Sequence, residues 1–192
     1  MAANGRVITG FSYPYVALYS ESGGTISYTS GQILARGVNV DLSIDAADDN
    51  NFYADNVVAE SATGMFGGGT CTLTVDGLLT AAEKLILGLP TADGDGWTAY
   101  GDAASIPYVG LGFIVRYMSD GVTTYVPIVL NKVKFKMPNL SAATQEEEID
   151  WQTQELEAVI MRDDSSAHNW KMVCAGQADE ATAQAKITAL LS

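Results

Sequence analysis

The feature that most constrains this chain is period-two alternation of apolar and polar residues in short runs. A side-chain repeat of two marks a strand with one face on a core and the other in water. In Val38–Asp45, residues Val38, Val40, Leu42 and Ile44 share one face, while Asn39, Asp41, Ser43 and Asp45 share the other. Thr70–Asp76 sets Cys71, Leu73 and Val75 against Thr70, Thr72, Thr74 and Asp76. Lys132–Met137 sets Val133, Phe135 and Met137 against Lys132, Lys134 and Lys136. Tyr15–Tyr19, Val109–Met118, Thr123–Val129 and Trp170–Ala175 are further strand candidates. Strands of this number, punctuated by turn residues, predict a mainly β chain: two packed antiparallel sheets forming a sandwich or barrel.

Two helices interrupt the pattern, one short and flanking, the other C-terminal. Thr80-Ala-Ala-Glu83 has the spacing of a capping box, and Gly88 and Pro90 end that helix. Asp179–Leu191 places Ala181, Ala185, Ile187 and Leu190/Leu191 near helical spacing, which predicts an amphipathic helix packed on the sheet. Asn139–Met161 reads as loop to about Glu147 and then strand. Ile149 and Trp151 are out of phase there with Leu156, Ala158 and Ile160, the slip that a β-bulge or a change of packing partner produces. Asp45–Asn56 reads as a long acidic loop, and Gly67–Gly69 and Asp93–Gly96 as turns. No internal repeat divides the chain, so residues 1–192 are expected to form a single domain.

Charge narrows the function classes. Acidic residues outnumber basic ones 23 to 10, a net charge of −13, although only 17% of residues are charged. Phosphate binding needs clustered Lys and Arg, so specific nucleic-acid binding is not expected. A hydrophobic content of 47% argues against disorder. Cys71 and Cys174 match no metal or redox spacing and lie in apolar stretches, where a free thiol behaves as a small hydrophobe. The opening MAANGRVITG lacks the charged-then-apolar pattern of a secretion signal, and no apolar run is long enough for a membrane helix. The chain is therefore expected to be cytoplasmic when made.

Catalytic and metal chemistry find little support. His168 is the sole histidine, and Asp163, Asp164, Ser165 and Ser166 crowd beside it in one polar loop, whereas a triad assembles from separated segments. The glycine runs lack the Lys and Ser/Thr of a phosphate loop. Asp45, Asp48, Asp49, Asn51 and Asp55 are oxygen donors, but their spacing departs from the twelve-residue calcium loop and supplies no turn glycine. No enzyme activity, metal or cofactor is expected. Trp97, Trp151 and Trp170, with nine tyrosines, leave open a β-sandwich adhesin or carbohydrate-binding module as the alternative class.

The chain resembles the major tail proteins of siphophages, of the phi13-like type, over most of its length. The resemblance is carried by YPYVALY (Tyr13–Tyr19), LARGVNVDL (Leu34–Leu42), NFYADNVVAES (Asn51–Ser61), FGGGTCTLTVDGL (Phe66–Leu78) and AAEKLILGLP (Ala81–Pro90). It continues through PYVGLGFIV (Pro107–Val115), KVKFKMP (Lys132–Pro138) and IDWQTQELEAVIMR (Ile149–Arg162). It implies a tail-tube fold in a structural virion protein of a long, non-contractile tail. Homo-hexameric rings would stack head to tail around a lumen through which the tape-measure protein and DNA pass. A ring-forming tail or baseplate component is the neighbouring possibility. The resemblance also implies a long loop reaching adjacent subunits. The local candidates are Asp45, Asp48, Asp49, Asn51, Phe52, Tyr53 and Asp55. Candidates for the lumen wall are the polar strand faces, Asn39, Asp41, Ser43, Thr70, Thr72 and Thr74.

Overall fold

The computed structural model describes residues 5–47, 50–62, 64–102, 104–144 and 151–192. In chain order the elements begin β1 (Val7–Ser22), β2 (Thr25–Ile33), β3 (Gly37–Ala46), β4 (Asn50–Ala54), β5 (Val57–Ala62) and β6 (Phe66–Val75). They continue α1 (Thr80–Leu87), β7 (Val109–Ser119), β8 (Val122–Phe135), β9 (Gln154–Met161), β10 (Lys171–Val173) and α2 (Glu180–Leu190). The protein is mainly β with antiparallel pairing. One sheet follows the order β2-β1-β7-β8-β9-β6-β3 with β10 attached to β8, and β4 and β5 form a separate two-stranded sheet. In hydrogen bonding, the main strands are thus one continuous path rather than two sheets.

Strand β8 is the joint of that path. Its residues from Val122 to Val133 pair with β7, and Lys132 to Phe135 pair with β9 on the other side. The apolar sides of both ends of the path meet in one core: Val16, Leu111, Phe113 and Leu130 join Leu73, Val75, Leu156 and Ile160. The predicted alternation is realised where one face meets water. In β6, Cys71, Leu73 and Val75 are buried while Thr70, Thr72 and Thr74 are half-buried. In β9, Leu156, Ala158 and Ile160 take the core positions. The uninterrupted buried run at the start of β7 has a different cause. Leu111 and Phe113 face the main core, whereas Ile114 faces a second cluster under α2 with Tyr15, Ala17 and Val129.

Helix α2 docks through Ala183 and Ile187, with Leu191 just beyond its end. Ala181, Ala185 and Leu190 of the expected stripe are instead exposed. Its seat is built from bare backbone. A Cβ on Gly112 would lie 2.4 Å from Ile187 Cγ2, and one on Gly110 would lie 2.7 Å from Leu191 Cδ2. The helix start is capped by Asp179, whose Oδ1 accepts the Thr182 N–H at 2.8 Å.

The capping box expected for α1 is not formed. Thr80 is the first helical residue, and the cap position falls to Leu79, which has no capping side chain. A tertiary contact sets this register: the Leu79 N–H donates to the Leu34 carbonyl at 3.3 Å. Glu83 instead accepts the Tyr100 hydroxyl at 2.8 Å. The predicted C-terminus holds, with Gly88 left-handed at φ 61° and the Leu89 N–H bonded to the Lys84 carbonyl at 3.0 Å.

Three loop expectations change. Gly67–Gly69 is not a turn but part of β6, where Gly68 pairs with Asp45 and Gly69 with Ile44. Asp45–Asn56 is not a loop throughout. Asp45 and Ala46 finish β3, Asn50–Ala54 is β4, and Asp55 and Asn56 turn the chain at φ 50° and 63° into β5. Positive φ at both central residues matches the twist of a tight hairpin. The phase slip before β9 is not a bulge within the strand. Trp151 lies outside β9 and is exposed, whereas Ile149 and Glu147 lie outside the described residues.

Candidate assembly surfaces

The strands β3, β6, β9 and the end of β8 turn one polar face outward, opposite the core. Asn39 pairs with Thr74, Asp41 with Thr72 and Ser43 with Thr70. Across the next interface Thr74 pairs with Glu155, Thr72 with Glu157 and Thr70 with Val159. Val159 then pairs with Lys134. All six sequence-chosen wall residues therefore lie in cross-strand rows on a single face, and Lys132 and Lys134 of β8, with Lys136 just beyond its end, adjoin that face.

Those lysines are largely held. Lys132 Nζ lies 2.6 Å from Asp164 Oδ2 and 4.5 Å from the centre of the Tyr108 ring. The Lys132 ammonium is the main reason the Asp164 carboxyl lies below its ordinary value, with the Tyr19 hydroxyl, 2.8 Å away, contributing next. Lys136 forms an ion pair with Glu157, one of the cross-strand acids that charge pairing favours. Lys134 meets no carboxylate among the described residues; its ammonium lies 5.3 Å from the Tyr108 ring centre.

The arm candidates divide between strand and turn. Asp45 lies in β3, Asn51, Phe52 and Tyr53 in β4, and Asp55 at the turn, while Asp48 and Asp49 lie outside the described residues. An extended strand advances about 3.3 Å per residue. The five residues of β4 therefore separate its start at Asn50 from the turn at Asp55. The hairpin β4–β5 inserts where β3 and β6 already meet. Ala46 pairs with Phe66, and the Ala47 N–H bonds the Met65 carbonyl at 2.7 Å. Its strands hydrogen-bond to each other and not to the main sheet. An isolated two-stranded hairpin is marginal in water, so an arm of this kind gains most from a surface to rest on.

The loop around His168 is a structural clasp. Asp163 is buried, accepting the Asn131 amide at 2.7 Å on one oxygen and the Ser165 hydroxyl at 2.7 Å on the other. The His168 Nδ1 lies 3.3 Å from the Asp163 backbone carbonyl. With the Ser165 proton directed at Asp163, no serine–histidine relay forms. Asn131, Tyr19 and Tyr108 were not singled out from sequence, since nothing in their local pattern shows what the 163–164 loop brings to them. The Cys71 thiol is pushed up to about 12 by burial. Both cysteines are free.

Apolar side chains remain in water at several points, led by Leu140 at 90%, Trp151 at 83% and Trp97 at 77% exposure. Between β1, β7 and β3 lies an open groove of about 360 Å³ lined by Ile8, Phe11, Val38, Val40 and Leu42 among others. Among the described residues no helix is long and apolar enough to cross a membrane, and no group of three metal-ligating side chains gathers. No protein-family model and no curated protein matches the chain.

Proposed function

We propose that this chain is the tail-tube subunit of a long, non-contractile phage tail, a structural virion protein that self-associates into stacked hexameric rings. The observation that carries the proposal is the polar face of β3, β6, β9 and β8, in register across all four strands and backed by the core. In this reading the continuous sheet curls into two packed layers, and the polar layer lines the lumen. Hydroxyls and carboxylates interspersed with lysines, of which Lys132 and Lys136 are paired, would give DNA no continuous basic track. At physiological salt the Debye length is about 8 Å, so only wall charges near the DNA act on it.

Two further features support assembly. Both ends of the sheet path, β2 and β3, leave a strand edge unpaired among the described residues. Such edges are templates for pairing with another chain. The β4–β5 arm, projecting beyond the β3–β6 junction, would reach a neighbouring subunit. Head-to-tail contacts are heterologous, so in-plane contacts close a ring while axial contacts propagate. Negative-stain electron microscopy of concentrated protein tests the reading. Hollow tubes of uniform width support it, whereas a persistent monomer that binds glycans would favour the carbohydrate-binding alternative.

A further inference from the structure

The polar face is charge-polarised between its two edges. At the β3 edge, Asp41 and Asp45 are exposed and make no ion pair among the described residues. At the β8 edge, exposed Lys134 has an aromatic ring but no carboxylate beside it. Just beyond β8, Lys136 is already paired, with Glu157 of β9. Beyond the Val109–Val133 pair, β7 no longer accompanies β8, so Lys134 and Phe135 have no strand on that side.

We propose that the β3 edge of one copy docks against the β8 edge of the next, with Lys134 seated between Asp41 and Asp45 of its neighbour. The occupant is a second copy of this chain, and the inference rests on the self-assembly reading above. Strand direction permits the contact. The pairs β3–β6, β6–β9 and β9–β8 are all antiparallel, so β3 and β8 run in opposite senses. A copy related by in-plane rotation therefore brings its β8 antiparallel to β3.

Register supports it as well. Lys134 shares a row with Val159, Thr70 and Ser43. Extending that row without stagger sets the next copy's Lys134 opposite Ser43, with Asp41 and Asp45 diagonal to it. Diagonal partners lie within reach of a long side chain. A stagger of about two residues, the step that keeps side chains on the same face, places Lys134 directly opposite one of the two carboxylates, whichever way it runs.

The test uses two full-length variants, Lys134→Asp and the pair Asp41→Lys with Asp45→Lys. All three positions are exposed, so each variant should melt as a folded monomer by circular dichroism. Alone, each presents like charges at the contact, and its critical concentration for assembly should rise about five-fold or more, the effect of roughly one favourable cross-strand pair lost. Mixed in equal amounts, acidic and basic edges alternate, and tubes should return near the wild-type threshold. Salt gives a second measure: wild-type assembly should weaken between roughly 0.05 and 0.5 M NaCl as charges are screened. If wild type forms tubes but the variants assemble equally well, or the mixture gives no rescue, this contact is overturned while the self-assembly reading stands. A wild-type chain that never assembles overturns both.

Discussion

The packing of α2 on a glycine seat makes a quantitative prediction. Ile187 is fully buried, and its Cγ2 would lie 2.4 Å from a methyl group placed on Gly112. Gly112→Ala should overpack the joint and destabilise the monomer by about 1–3 kcal/mol. The reduced freedom of the unfolded chain offsets about 0.4–1 kcal/mol of that. Ile187→Ala should cost about 2–5 kcal/mol through lost burial and a cavity. In the double variant the new methyl enters space vacated by Ile187. Its next contacts are Leu191 Cδ1 at 3.1 Å and the retained Cβ of residue 187 at 3.6 Å. The overpacking cost should then disappear, leaving the double variant more stable than the sum of the single effects by about 1–3 kcal/mol. Urea unfolding followed by circular dichroism, at a concentration where the chain is monomeric, measures all four corners of the cycle. Additivity within about 0.5 kcal/mol, as for independent sites, would refute the packing argument.

Replacing Ala47–Gly64 with a Gly-Ser turn should leave a folded monomer, because β3 and β6 pair with each other on either side of the excised arm; tube formation should fail in electron microscopy, and normal tubes would remove the arm from the assembly account. Leu73→Asp should prevent soluble folding, since Leu73 is 1% exposed and a buried unpaired charge is prohibitive; expression and gel filtration read this directly. The Lys132–Asp164 contact should show in the acid limb of stability. With its folded-state value below the ordinary 3.8, Asp164 stabilises fully above that pH and loses its contribution as pH falls through the lower folded value. Asp164→Asn should therefore flatten the acid limb of the melting profile below about pH 4, and an unchanged limb would dismiss the contact.

The strands legible in sequence include those with one wet face and also β7, which Val109–Met118 anticipates although its first seven residues are buried. β3, β6 and the end of β8 declare themselves by alternation, and their polar sides proved to be one surface. β2 escaped notice because Thr25–Ile33 is a largely exposed edge strand in which only Ile26, Tyr28 and Gln32 are half-buried. The arm reads as loop from its acidic composition, although Asp55–Asn56 supplies a hairpin signal: two residues tolerant of positive φ between β4 and β5. In α2, Ile187 and Leu191 of the expected stripe hold their places, and only the alanine and Leu190 positions shift. Ala183, rather than Ala181 or Ala185, faces the sheet because Ile187 and Leu191 fit the gaps over Gly112 and Gly110, a tertiary fact with no local signature. Tertiary context likewise starts α1 one residue before the position its capping box requires, through the bond from Leu79 to Leu34.

In the proposed tube, the face that bears Asn39, Asp41, Ser43, Thr70, Thr72 and Thr74 lines the lumen. Cryo-electron microscopy of assembled protein tests it most directly. Hexameric rings are expected, with an inner wall formed by β3, β6, β9 and the end of β8 and those six side chains directed at the lumen. A tube with the α2 side of the molecule turned to the axis, or with Lys132, Lys134 and Lys136 unpaired along the lumen, would contradict it.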